Sequence, residues 1–193
     1  MPCAKRRNGK TAVICENRDD FGNDTKALND GISRMENNIC NVRYMTKDDL
    51  PQVASIERKI FTRPWTEEGF GAALAMKENI YLVAVPEEPG EIVGYCGMYV
   101  SPGEGEIVNV AVDPCFRRRG AAQALLDFLI RESARRGVTR WILEVRVSNK
   151  GAITLYQRMG FESLGIRRGF YESPREDALI MAREERAETG PET

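Results

Sequence analysis

The chain has 193 residues, 28 Lys and Arg against 29 Asp and Glu, a net charge of −1 and no histidine. That length suits one domain with a full core of its own, and the balanced charge speaks against a general nucleic-acid coat. Without histidine there is no Ser-His-Asp or Cys-His nucleophile, no HExxH zinc site and no imidazole base. Acid–base work at neutral pH then falls to Asp, Glu, Tyr, Cys, Lys or water.

Five scattered cysteines (Cys3, Cys15, Cys40, Cys96 and Cys115) show no CxxC spacing. They predict no structural zinc, no metal site and a reducing, cytoplasmic setting. The basic opening around Lys5, Arg6 and Arg7 precedes no apolar signal segment. No apolar run reaches the roughly 18 residues of a membrane span.

Residues 1–40 stand apart. Val13, Ile14, Phe21, Leu28, Ile32 and Ile39 are their only Val, Ile, Leu or Phe, too few for a core. Leu28, Ile32, Met35 and Ile39 fall at helical spacing with Gly31 inside the stripe. This reads as a flexible extension carrying at most one docking helix, before a domain over 41–184 and a fraying polar tail over 185–193.

Within the domain, 42–45 predicts a short strand. Thr46 with Asp49 has capping-box spacing, and Leu50, Val53, Ala54 and Ile60 mark a helix face. Thr66 caps a second helix carrying Phe70, Ala73 and Leu74. Strands follow at 80–85, 92–100 and 104–112, joined by short turns as an antiparallel meander. Ala122, Leu125, Leu126, Leu129 and Ile130 give a strong helix stopped by Gly137. A strand at 141–145, a helix at 150–159 stopped by Gly160, and strands at 161–165 and 178–182 complete the order β-α-α-β-β-β-α-β-α-β-β. The strand-helix-strand unit in the second half implies locally parallel pairing. The expected fold is α/β (α+β mixed), one mixed sheet flanked by helices.

The stretch 110–126 carries the chemistry. A strand ends at Asp113-Pro114, and a basic loop with Arg117, Arg118, Arg119 and Gly120 runs straight into the long helix. Small residues let a ligand approach the backbone there. The N–H groups of a first helical turn and the helix dipole favour an anion. The spacing is neither a Walker loop nor a G-x-G-x-x-G turn. The same stretch also reads as a solvated turn before a packing helix.

Arg117-x-x-Gly-x-Ala122 after a strand resembles the acetyl-CoA loop of the GNAT N-acetyltransferases. Residues 108–114, 143–149 and 152–161 resemble that family's fourth strand and its later cofactor and catalytic segments. Together with 167–171 and 176–181, they resemble the branch that acetylates the N-terminal alanine of a small-subunit ribosomal protein. The resemblance covers about residues 41–184.

It implies an acetyltransferase that uses acetyl-CoA and no metal, with a protein or peptide N-terminus as partner and with neither direct nucleic-acid contact nor a membrane. It further implies a bulged fourth strand that splays from the next one. Val110, Ala111 and Val112 would offer main-chain contacts to pantetheine and the acetyl carbonyl. Arg118, Arg119, Gly120, Ala121, Ala122 and Gln123 would form the pyrophosphate loop. Arg117 stands where Gln is common, and Ala122 where Gly is.

Asn149 carries over as a cofactor or substrate contact and also suits an ordinary helix cap. Glu144 matches the general base and Tyr156 the general acid. For Tyr156 the other reading is a core aromatic. For Glu144 it is a surface pair with Arg146, which alternation places on the same face. Residues 63–67 and 167–171 should flank the acceptor entrance, with Trp65 or Tyr171 narrowing it. The competing functions are a family member acting on internal lysines or small amines, and a non-catalytic acetyl-CoA-binding regulator.

Overall fold

The computed structural model describes residues 40–86 and 90–185. The expected extension and almost all of the expected C-terminal tail lie outside the described residues. One sheet of seven strands organises the rest: β1 (Asn41–Tyr44), β2 (Ile80–Val85), β3 (Gly94–Ser101), β4 (Glu104–Val112), β5 (Arg140–Arg146), β6 (Glu162–Glu172) and β7 (Arg175–Glu184). Their spatial order is β1-β2-β3-β4-β5-β7-β6. Every pairing is antiparallel except β4 with β5. The helices are α1 (Leu50–Ile60), α2 (Glu67–Leu74), α3 (Ala121–Arg135) and α4 (Lys150–Arg158). The order of strands and helices is the expected one.

Local chemistry explains the boundaries. Asp49 Oδ2 accepts from the Thr46 N–H at 2.8 Å and from its hydroxyl at 3.0 Å, fixing the entry to α1. The Thr66 hydroxyl accepts from the Gly69 N–H at 3.2 Å and caps α2. Gly137 and Gly160 follow α3 and α4 with φ of +83° and +84°, the left-handed conformation that closes a helix.

Three strands differ most from expectation, β7 by spanning Arg175–Glu184 rather than 178–182. β3 begins at Gly94, not at 92, because the Ile92 N–H leaves the ladder for the Gln52 side chain at 2.9 Å. β6 runs to Glu172, far past the expected 165. It is an edge strand, mostly exposed and shifted in register around Gly165 and between Arg167 and Tyr171. An edge strand with no buried face shows no apolar alternation.

The sheet separates two apolar layers. On one face α3 and α4 cover Leu125, Leu126, Leu129, Trp141, Val145 and Tyr156. On the other, α1 and α2 cover Val53, Ile56, Phe70, Tyr81, Tyr95 and Ala111.

The site is built where the ladder fails. β4 pairs with β5 only from Glu104↔Arg140 to Glu106↔Ile142. Immediately afterwards the β3–β4 register slips: Met98 faces Ile107 while Gly97 faces Asn109, so Val108 is an extra, bulged residue. A bulge bends its strand and raises its twist. From Ile107 onwards β4 therefore diverges from β5, as the resemblance implied.

Candidate active site

At the end of β4, Asp113 turns the chain. Its Oδ1 accepts from the Cys115 N–H at 3.0 Å and its Oδ2 from Lys59 Nζ at 2.7 Å. Burial pushes the Asp113 carboxyl up, but the Lys59 ammonium and the Cys115 N–H together outweigh it and hold the group below the usual carboxylate range. Beyond a 3₁₀ turn at Pro114–Phe116, Arg118 takes φ +63° and Gly120 φ +84°. A Cβ on Gly120 would meet nothing within 4 Å, so its φ, not space, makes glycine the fitting residue. These kinks deliver the chain into α3 with the first-turn N–H groups of Ala121, Ala122 and Gln123 facing out of the helix end.

Between this loop and the first turns of α4 lies a groove of about 580 Å³. Arg118, Gly120, Ala121, Ala122 and Gln123 of the expected pyrophosphate loop line one side, together with Val112. Arg117, Lys150 and Arg158 also line it, and no carboxylate does. Four cations at a helix N-terminus suit a diphosphate. The expected Arg119 goes elsewhere: its guanidinium lies over the Phe116 ring, 5.5 Å from the centroid. Arg117 Nε donates back to the Val112 carbonyl at 3.3 Å, bracing the loop.

Directly before Lys150 of the groove lining, Asn149 Oδ1 caps α4 by accepting from the Ala152 N–H at 3.2 Å. Its Nδ2 is buried without a protein partner, so the cap leaves a second polar atom of the same side chain unused. The Tyr156 hydroxyl is likewise buried and unpartnered, as is Asn109 Oδ1 on β4. Buried polar atoms without partners are costly. Three of them on the elements that border one opening fit a ligand with amides and a thioester. Burial pushes the Tyr156 phenol well above its ordinary value, so it carries its proton at neutral pH.

Glu144 lies on the opposite face of β5 from Trp141, Leu143 and Val145, which belong to the α3–α4 core. It is therefore on the α1–α2 side, while Tyr156 lies fully buried in the layer on the α3–α4 side. The surface pair weighed for Glu144 does not form with Arg146. Arg146 Nη1 binds Glu176 Oε2 at 2.9 Å, and its guanidinium stacks on Tyr171, 4.1 Å from the centroid. Glu144 Oε1 instead accepts from Arg167 Nη1 at 2.8 Å. The Tyr171 hydroxyl donates to the Glu144 carbonyl at 3.3 Å.

Residues bordering the two segments expected to flank an acceptor entrance, 63–67 and 167–171, touch one another. The Thr62 hydroxyl donates to the Ser173 carbonyl at 3.1 Å, Arg63 pairs with Glu172, and Phe61 packs with Phe170 and Tyr171. Tyr171 is buried and Trp65 half-buried, stacked on Phe70 at 5.2 Å.

Sequence reasoning gave no role to Glu57, Asn109 or Glu176, and placed Arg167 at the acceptor entrance without its pairing to Glu144. Glu57 falls in the apolar stripe of α1, four residues after Val53, and Asn109 interrupts an apolar strand; both were legible as polar residues at core positions. The partners of Glu144 and Arg146 come from a distant strand and were not.

The acetyltransferase (GNAT) family profile matches residues 50–161. A putative [ribosomal protein bS18]-alanine N-acetyltransferase of Bacillus subtilis is 37% identical over 141 residues, covering 72% of this chain and 92% of the relative. The [ribosomal protein bS18]-alanine N-acetyltransferase of Escherichia coli K12 is 39% identical over 136 residues, 69% of this chain and 90% of that one. The N-alpha-acetyltransferase RimI of Mycobacterium tuberculosis is 35% identical, covering 72% and 89%. The crystal structure of the Escherichia coli ribosomal-protein-S18-alanine N-acetyltransferase superposes with a TM-score of 0.70 and 33% identity, over 80% of this chain and 99% of that one. With the groove, the splayed strands and this match, the chain belongs to the acetyltransferase (GNAT) family.

Proposed function

We propose that this protein is a cytosolic acetyl-CoA-dependent N-acetyltransferase that modifies the N-terminal alanine of a small-subunit ribosomal protein. The observation that carries this reading is the cationic groove between the Arg117–Gln123 loop and α4, beside a β4 that leaves β5 after Glu106; Glu144 on β5 and the proton-bearing phenol of Tyr156 on α4 are the groups assigned to the chemistry there. The activities for which the relatives are named support the choice of acceptor. The free thiols of Cys40, Cys96 and Cys115 suit a reducing compartment. Among the described residues no helix is long and apolar enough to cross a membrane.

Acetyl-CoA, when bound, supplies an acetyl thioester. The Arg118–Gln123 loop would hold its diphosphate, and the backbone of Val110, Ala111 and Val112 would pair with its pantetheine amides. A β4 N–H would stabilise the charge that develops on the acetyl oxygen. Glu144 accepts the proton of the attacking amine through a water. Tyr156 gives its proton to the departing sulfur. Burial disfavours a phenolate and a thiolate alike, so it keeps the proton on Tyr156 until charge develops on the sulfur and leaves the balance between the two anions little changed. The reaction uses no metal.

Basicity favours an α-amine. Its pKa is about 7.7–8.0 against about 10.4 for lysine, so freeing the amine at pH 7.4 costs roughly 0.4–0.8 kcal/mol against roughly 4. A single water-relayed carboxylate manages the first readily. The test is kcat/KM at pH 7.4 for three peptides: Ala-first, Phe-first, and N-terminally blocked with an internal Lys. The Ala peptide should be fastest. Equal or faster reaction of the blocked Lys peptide would overturn the N-terminal reading. Binding of acetyl-CoA with no CoA released on any amine would point to a regulator instead.

A further inference from the structure

α1 carries a carboxylate where its amphipathic pattern calls for an apolar side chain. Glu57 continues the stripe of Leu50, Val53, Ala54 and Ile56, and it is fully buried. A carboxylate in such a place costs several kcal/mol unless hydrogen bonds satisfy it. Its two oxygens are met by donors from two different elements. Oε2 accepts from the Tyr95 hydroxyl on β3. Oε1 accepts from the backbone N–H of Trp65 at 3.0 Å.

Trp65 lies in the 61–66 segment that joins α1 to α2. Its neighbours Thr62 and Arg63 reach the β6–β7 turn at Ser173 and Glu172. Arg63 and Glu172 are both largely exposed, and exposed pairs of this kind contribute little to holding a backbone in place. The Glu57 contact is different: it is shielded from solvent, charge-assisted, and directed at the main chain of the segment itself. The Trp65 ring continues the connection, stacking on Phe70, whose ring meets Tyr95 edge-to-face at 5.4 Å. Carboxylate and aromatic stack thus tie one loop to the rigid sheet at two points.

We propose that Glu57 is a positioning residue for acceptor selection: it latches the 61–66 loop to β3 and so fixes the width of the entrance over Glu144. This rests on the reading of the protein as a peptide N-terminal acetyltransferase. Glu57 takes no part in proton transfer and makes no contact with acetyl-CoA. A merely structural role would lower thermal stability and leave substrate discrimination alone. A latch sets the geometry that separates a small first side chain from a large one, so its loss is read in peptide KM and in the Ala-to-Phe preference.

Glu57→Met removes both acceptors at similar volume. Glu57→Gln keeps a carbonyl oxygen for the Trp65 N–H and an amide that can pair with the Tyr95 hydroxyl. With full-length protein, Glu57→Met should raise KM for the Ala-first peptide by about tenfold or more. It should shrink the Ala-over-Phe ratio of kcat/KM by a similar factor, with acetyl-CoA Kd and kcat within about threefold of wild type. Glu57→Gln should restore the ratio to within about threefold. A folded Glu57→Met with unchanged peptide KM and unchanged preference would overturn the proposal. If that variant does not fold, hydrogen exchange in the wild type decides: the Trp65 amide should be strongly protected, and exchange as fast as an open-loop amide would overturn the latch. Wild-type enzyme that acetylates no peptide would sink the functional reading instead, so the two failures are distinct.

Discussion

Glu144 and Glu57 are carboxylates on the same side of the sheet, and their surroundings separate their work. Glu57 is sealed in and fully used by donors from the protein. Glu144 is only partly buried, and Arg167, which pairs with its side chain, is itself 59% exposed and able to swing aside. A proton acceptor must be reachable by water and substrate, which suits the second and not the first. Glu144→Gln and Tyr156→Phe should each lower kcat by about 10²–10⁴. Acetyl-CoA affinity, measured by calorimetry, should change little, because the diphosphate groove is built from other residues. Near-normal turnover in either variant removes that residue from its role.

Among the elements, the junction of β4 with α3 does most to define the site. The Val108 bulge frees the backbone of β4 from β5, and the left-handed Gly120 releases the first N–H groups of α3 toward the groove. Gly120→Glu should abolish measurable acetyl-CoA binding, because a carboxylate would stand among the N–H groups and cations meant for phosphate. Gly120→Ala separates the causes. It carries the left-handed backbone cost of about 1 kcal/mol without the charge, so its affinity should fall far less. Both variants should keep the wild-type circular dichroism. Unchanged acetyl-CoA affinity in folded Gly120→Glu would contradict this assignment of the loop.

At the scale of the molecule, the described residues 40–86 and 90–185 form one sheet with two apolar layers. Each helix covers a face of the sheet. Residues 1–39 hold too few large apolar side chains to add a third layer. A chain lacking them should fold, melt within a few degrees of the full-length protein and acetylate the Ala-first peptide. A large drop in Tm would show that the Leu28–Ile39 stripe packs against the domain.

The sequence by itself determined what local physics controls. The period of apolar residues, Thr46 and Thr66 as caps, and Gly137 and Gly160 as stops set the order of elements. The run from Asp113 to Gln123 marked an anion loop at a helix start, because its small and basic residues are contiguous. Tertiary structure decided the rest. The extent of β6 depends on its being an edge strand, whose exposed faces leave no periodic trace. Glu144 meets Arg167 rather than Arg146 because β7 and β6 bring Glu176 and Arg167 alongside β5 from far along the chain. Glu57 was visible as a charge in an apolar stripe, but its purpose depends on Tyr95 and Trp65 arriving from a strand and a loop. Side-chain pairing across strands is set by register, and register is a property of the assembled sheet.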